Sequence, residues 1–158
     1  MNKKTKIYIA GHRGMVGAAI WRTLAALGYS NLIGKTSKEL DLRNQSQVLQ
    51  FFKDENPTVV IDAAARVGGI LANNEYPYQF LMENLQIQNN LIDAALQHDI
   101  EKFIFLGSSC IYPKLASQPL REEYLLTDTL EPTNEWYAIA KITGVKSCEA
   151  IRKQYGKD

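Results

Sequence analysis

Short apolar runs alternate along this chain with longer stretches in which apolar residues return every three or four positions. The runs are Ile7 to Ala10, Asn31 to Ile33, Thr58 to Ile61 and Lys102 to Leu106, rich in β-branched and aromatic residues, and they read as strands. Between the first two, Val16, Ala19, Ile20, Leu24 and Leu27 predict a helix over Met15 to Leu27, with Gly28 placed to stop it. A second helix is predicted near Ser46 to Asp54, ahead of Pro57. A third, from Tyr78 to Gln97, carries Leu81, Leu85, Ile92 and Leu96 on one side and Phe80, Ile87, Leu91 and Ala95 on another, so it should bury itself against the sheet and against a further element. The last helix is predicted over Glu135 to Gln154, after a proline-containing loop from Tyr112 to Thr133 of the length usually kept for function. This alternation predicts an α/β fold, a Rossmann-type doubly wound parallel sheet with strand order 3-2-1-4, ending after the last helix.

Composition narrows the function without naming it. The 158 residues are 46% hydrophobic and 22% charged, enough for one domain spanning positions 1–158. A net charge of +1 with interspersed signs offers no footprint for nucleic acid or an anionic membrane. The apolar stretch after the basic start is too short for a signal peptide or a span, which predicts a cytoplasmic protein. Cys110 and Cys148 fit neither a disulfide framework nor a zinc spacing with His12 and His98, so no metal is expected.

Chemistry enters at the first turn. Gly11, Gly14 and Gly17 form a G-x-x-G-x-x-G pattern between the first strand and the first helix. Glycine there lets backbone N–H groups approach a pyrophosphate, and the helix N-terminus adds partial positive charge, so the pattern predicts dinucleotide binding. Arg13 in this loop, with Lys35 and Lys38 after the second strand, favours a 2′-phosphate and hence NADP, although Glu39 and Asp41 follow closely.

Two further signals lie downstream. Tyr137 and Lys141 form Y-x-x-x-K on one face of the last helix, where an ammonium beside a phenol favours its ionisation. Ser108, in the stretch "GSSCIYPK" at the end of the fourth strand, supplies a hydroxyl where parallel sheets bind ligands. Hydroxyl, phenol and amine together suit proton donation accompanying hydride transfer. Cys148 reads as core, Asn134 as an N-cap, and Asn84 and Asn90 as helix-surface or backbone-bonding residues.

Taken together these residues resemble the extended short-chain dehydrogenase/reductase family, in its branch acting on nucleotide sugars. The blocks "AGHRGMVG", "AAARVGGILANN", "FLGSSCIYPK", "LEPTNEWYAIAK" and "QYGKD" look like those of the GDP-L-fucose synthases. The resemblance implies an NADPH-dependent enzyme that epimerises a GDP-4-keto-6-deoxymannose at C3 and C5 and reduces its C4 ketone. It further implies Ser108, Tyr137 and Lys141 as the reducing triad and Cys110 as the base of the epimerisations, a partly exposed thiolate near Lys141. Cofactor contacts are expected from Gly11, Arg13, Gly14, Met15, Val16, Gly17, Lys35, Asp41, Ala63, Ala65, Tyr137 and Lys141, with a nucleotide-sugar substrate and a homodimer built on the third and last helices.

The likeness departs in two places. Ser37 stands where members of the family often carry a base for the 2′-phosphate. Members also continue past the Tyr-Lys helix into a substrate domain and a histidine that partners the cysteine, a place neither His12 nor His98 can fill. The chain therefore reads as a cofactor-binding half, inactive by itself. The alternative is a non-catalytic dinucleotide-binding module or redox sensor.

Overall fold

The structure, a computed structural model, describes residues 2–157. Four parallel strands, β1 (Ile7–Ala10), β2 (Leu32–Ile33), β3 (Val59–Asp62) and β4 (Lys102–Phe105), form one sheet in the order β2-β1-β3-β4. The helices are α1 (Met15–Ala26), α2 (Gln45–Glu55), α3 (Ile70–Glu75), α4 (Pro77–Gln97) and α5 (Glu135–Tyr155). Among the described residues no helix is long and apolar enough to cross a membrane.

The parallel sheet and the helix positions match the sequence reading, but the strand order does not. The expected 3-2-1-4 order put β3 outside β2, whereas β3 pairs with β1 from Ile7↔Val59 to Ala10↔Asp62. Burial explains the correction. All of β3 is buried, so it needs neighbours on both sides, while the two half-buried residues of β2 suit an edge. The sheet thus reverses its direction of growth at β1, and the carboxyl ends of β1 and β3 lie side by side at the switch point, where such sheets hold ligands.

Strand alternation sorts the core into two layers. Ile7, Ile9, Val59 and Ile61 face Ile20, Trp21 and Leu24 of α1. Tyr8, Ala10 and Val60 face Val48, Phe51 and Phe52 of α2 and Leu91, Ala94 and Ala95 of α4. The two-sided apolar character of α4 has its explanation here, since it packs against β3 and α2 and also against α5. Asn44 caps α2 by accepting from Gln47 N, and α1 ends at Leu27 before Gly28. The short α3 was not foreseen. Its Ile70 and Leu71 are exposed, so it presents no buried apolar stripe for a periodicity to reveal.

Candidate active site

The glycine loop is built by close backbone approach. Gly11 adopts φ 73°, in the left-handed region. A Cβ on it would stand 2.7 Å from the Ala63 carbonyl oxygen, so the loop lies directly against the chain leaving β3. Gly14 N donates to Gly11 O at 2.8 Å. Gly17 abuts the Gly11 carbonyl so tightly that any side chain would overlap it. These contacts aim α1 at the loop, and Gly14 at its N-cap has no side chain to cap it, leaving first-turn N–H groups for an anion. Arg13, Met15 and Val16 are exposed around this terminus, Met15 at 89%. On the neighbouring strand, Ala63 N donates to Ala10 O at 3.1 Å, and Ala63 and Ala65 are half-buried beside the loop.

Charges cluster after β2. The Glu39 carboxylate accepts from Thr36 N and Oγ1, each at 2.7 Å. These bonds, together with the nearby charges of Lys35 and Arg13, hold it below the usual carboxylate range. Arg13 and Lys35 are therefore brought into one neighbourhood, as a 2′-phosphate site requires, though Lys35 also reaches Glu55 at 3.9 Å. Asp41 is taken up by Arg43, accepting from its Nε and Nη2 at 2.9 Å each, and that bonding keeps its carboxyl low.

The second half of the site lies beyond β4. Ser108 precedes a short 3-10 turn, Ser109–Ile111, and its oxygen accepts from Cys110 N at 3.5 Å and from the Cys110 thiol at 3.2 Å. Tyr137 and Lys141 occupy successive turns of α5, and α5 packs against that turn. Serine, cysteine, tyrosine and lysine from separate segments are thus brought together.

Their electrostatics differ from the sequence expectation. Lys141 is 4% exposed, and its Nζ donates to the Leu106 carbonyl at 2.9 Å, 4.6 Å from the Phe105 ring centre and 6.0 Å from that of Tyr137. Turned towards the strand end, the ammonium does not lower the phenol. Burial, then the neighbouring Cys110, pushes Tyr137 up, with the Ser108 hydroxyl pulling the other way. Nor is Cys110 a ready thiolate: burial pushes the thiol up, against the Ser108 bond and Lys141. Lys141 itself is lowered by burial, with Asp62 and Cys110 opposing.

Several positioning groups were less legible. Asn84, buried on α4, accepts from Arg66 N at 2.9 Å and donates to Arg66 O at 3.0 Å and Phe80 O at 2.6 Å. One amide so fixes the segment after β3, in keeping with its reading as backbone-bonding. Asn90 likewise donates to Leu42 O. Gln88, not singled out from sequence, donates to the Ala140 carbonyl at 2.7 Å and ties α4 to the Tyr-Lys helix. Its signal was a polar residue within the apolar face of α4. Asn134 stands at the N-cap of α5, but its side chain does not cap the helix; its Oδ1 is buried without a partner among the described residues.

Comparison with known proteins places this geometry. Residues 7–158 match the model of the NAD dependent epimerase/dehydratase family. The chain is 59% identical over 157 residues to GDP-L-fucose synthase 1 of Arabidopsis thaliana, covering 99% of this chain and 49% of that protein. It is 55% identical over 155 residues to GDP-L-fucose synthase of Escherichia coli K12, covering 98% and 48%. Among solved structures, a GDP-mannoheptose C4 reductase from Campylobacter jejuni with NADP bound is similar with TM-score 0.97 and 42% identity, over 100% of this chain and 50% of that one. The chain spans about half the length of the curated relatives it matches. The chain belongs to the NAD dependent epimerase/dehydratase family.

Proposed function

We propose that this chain is the cofactor-binding half of an NADPH-dependent epimerase/reductase that converts GDP-4-keto-6-deoxy-D-mannose to GDP-L-fucose. The observation that carries the reading is the convergence of Ser108, Cys110, Tyr137 and Lys141 at the carboxyl edge of a sheet whose first turn is a glycine cradle. A module that only bound a dinucleotide would need neither Ser108 nor Cys110. The names of the relatives support the sugar-nucleotide substrate.

The cradle fits the cofactor: Gly11 and Gly17 let the loop fold tightly onto Ala63 and onto itself, Gly14 leaves the α1 terminus without a side-chain cap, and Arg13 and Lys35, both near Glu39, would hold a 2′-phosphate. Bound NADPH would supply the hydride to the sugar C4. Tyr137, kept protonated by burial, donates its proton to the C4 oxygen, and Ser108 hydrogen-bonds that oxygen. Before that reduction, while C4 is still a ketone held by Tyr137 and Ser108, the protons at C3 and C5 are acidified. Cys110, having first lost its own proton to solvent with the Lys141 charge assisting, removes each in turn, and an acid from the C-terminal half returns a proton to the opposite face. Lys141, whose ammonium here donates to Leu106 O, would hold the cofactor ribose when NADPH is bound. The apolar sides of α4 and α5 further suit a homodimer.

Fluorescence titration with NADPH and NADH tests the binding half of the reading, and chromatography of the products from NADPH and the 4-keto sugar nucleotide tests the chemistry. NADPH should bind more tightly. The 158-residue chain should form no product until a C-terminal half is supplied. Equal affinity for the two cofactors would remove the NADP assignment, and a failure of any added half to give GDP-L-fucose would remove the substrate.

A further inference from the structure

Asp62 ends β3 at the switch point, and its side chain is wholly buried. Its Oδ1 accepts from Ala64 N at 3.1 Å, while Oδ2 is buried without a hydrogen-bond partner among the described residues. An unpaired carboxylate oxygen in a core is costly unless a charge compensates it. On the same side of the sheet as Tyr8 and Val60, Asp62 faces the layer into which α5 brings Lys141. The backbone joins the two as well. Leu106 N donates to Asp62 O at 3.3 Å, and the Leu106 carbonyl accepts from Lys141 Nζ at 2.9 Å.

We infer that Asp62 is a positioning residue for Lys141, a buried counter-charge that keeps the lysine an ammonium and draws it towards the ends of β3 and β4. The inference rests on the reading of Lys141 as part of the reducing site. The titratable groups around the pair are Tyr8 on β1, Cys148 and Tyr137 on α5, and Cys110 in the turn after β4; Gln88 on α4 is uncharged. Of these, Lys141 alone is a cation, so it alone can offset the carboxylate. The directions agree: burial raises Asp62 to about 6, with Lys141 pulling it down, and Asp62 in turn holds Lys141 up against burial. A charged lysine is what the site needs, because only the ammonium donates to cofactor hydroxyls without an accepting lone pair of its own.

Carbon-13 NMR of the lysine Cε and aspartate carboxyl groups across pH tests this. In the parent chain, ionisation of Asp62 near pH 6 should appear as a step in the Lys141 signal. Asp62→Asn should move the Lys141 midpoint to lower pH, and Lys141→Met should move the Asp62 midpoint to higher pH, since the coupling is reciprocal. A Lys141 signal with no step near Asp62's own midpoint in the parent overturns the inference even if the variants do not fold. So do unmoved midpoints in either variant. The result is separable from the proposed function. Coupled midpoints in a chain that does not bind NADPH would retain the pair and remove the enzyme reading, whereas NADPH binding with independent midpoints would do the reverse.

Discussion

The thiol of Cys110 donates a hydrogen bond to the Ser108 oxygen at 3.2 Å, so the residue assigned as a base rests as an acid against a residue assigned to the substrate carbonyl. The Ser108 oxygen accepts from the thiol, which leaves the Ser108 O–H free to donate to a carbonyl oxygen, so both contacts can be made by one hydroxyl.

Cys110 should accordingly alkylate slowly at neutral pH and faster as pH rises, because burial lifts its ionisation above that of an ordinary cysteine. Ser108→Ala, which removes the bond opposing that shift, should slow alkylation further. Iodoacetamide rates followed by mass spectrometry check both, and a faster reaction in the variant would contradict the geometry. In a protein carrying both halves, Cys110→Ser should abolish C3 and C5 exchange with deuterium while leaving NADPH binding intact.

Gly11→Ala places a Cβ 2.7 Å from the Ala63 carbonyl at a backbone φ of 73°. Strain of this kind costs about 1–3 kcal/mol. NADPH affinity should fall by about fivefold to somewhat over a hundredfold, since 1.4 kcal/mol is a tenfold change. Arg13→Ala should instead weaken NADPH while sparing NADH. Fluorescence titrations separate the two outcomes.

Gly144 on α5 lies under the Phe105 ring, which would overlap any side chain placed there, and the same ring supports the Lys141 ammonium at 4.6 Å. Gly144→Ala should cost about 1–3 kcal/mol through overpacking. Urea unfolding measures the loss; a neutral substitution would show that the helix can lift from β4 freely.

Asp62 is pushed up to about 6 in the folded chain from its ordinary 3.8 when unfolded, so the folded state binds the extra proton between those values. Its contribution to stability is full below pH 3.8 and is lost as pH rises through 6, on the order of 3 kcal/mol in all. Asp62→Asn should remove that loss. The stability of the variant relative to the parent should therefore rise between about pH 4 and pH 6 and then level off, as read by urea midpoints in a pH series. A constant difference would mean the carboxyl is solvated.

Leu81 and Leu85 on α4 are half-buried within the single chain. If α4 and α5 form the homodimer surface, light scattering at roughly tens of micromolar should give twice the chain mass, the range in which a standard-sized interface holds. Leu81→Asp with Leu85→Asp should return it to the monomer mass.

What the sequence determined by itself was local. The glycine spacing at Gly11, Gly14 and Gly17 was legible because a positive φ and a bare helix start are demands on individual residues. The positions of α1 and α4 followed from three-to-four periodicity, with Gly28 as punctuation for α1, and Pro57 bounded α2. That Tyr137 and Lys141 share a face follows from helix geometry alone. The position of β3 beside β1, by contrast, depends on how much of each strand its neighbours bury, a sum over segments far apart in the chain. The direction of Lys141, the protonated state of Cys110, the uncapped Asn134 and the partnership of Asp62 were likewise decided by tertiary structure. Each turns on which polar groups remain within reach once water is excluded, and only the folded chain supplies that neighbourhood.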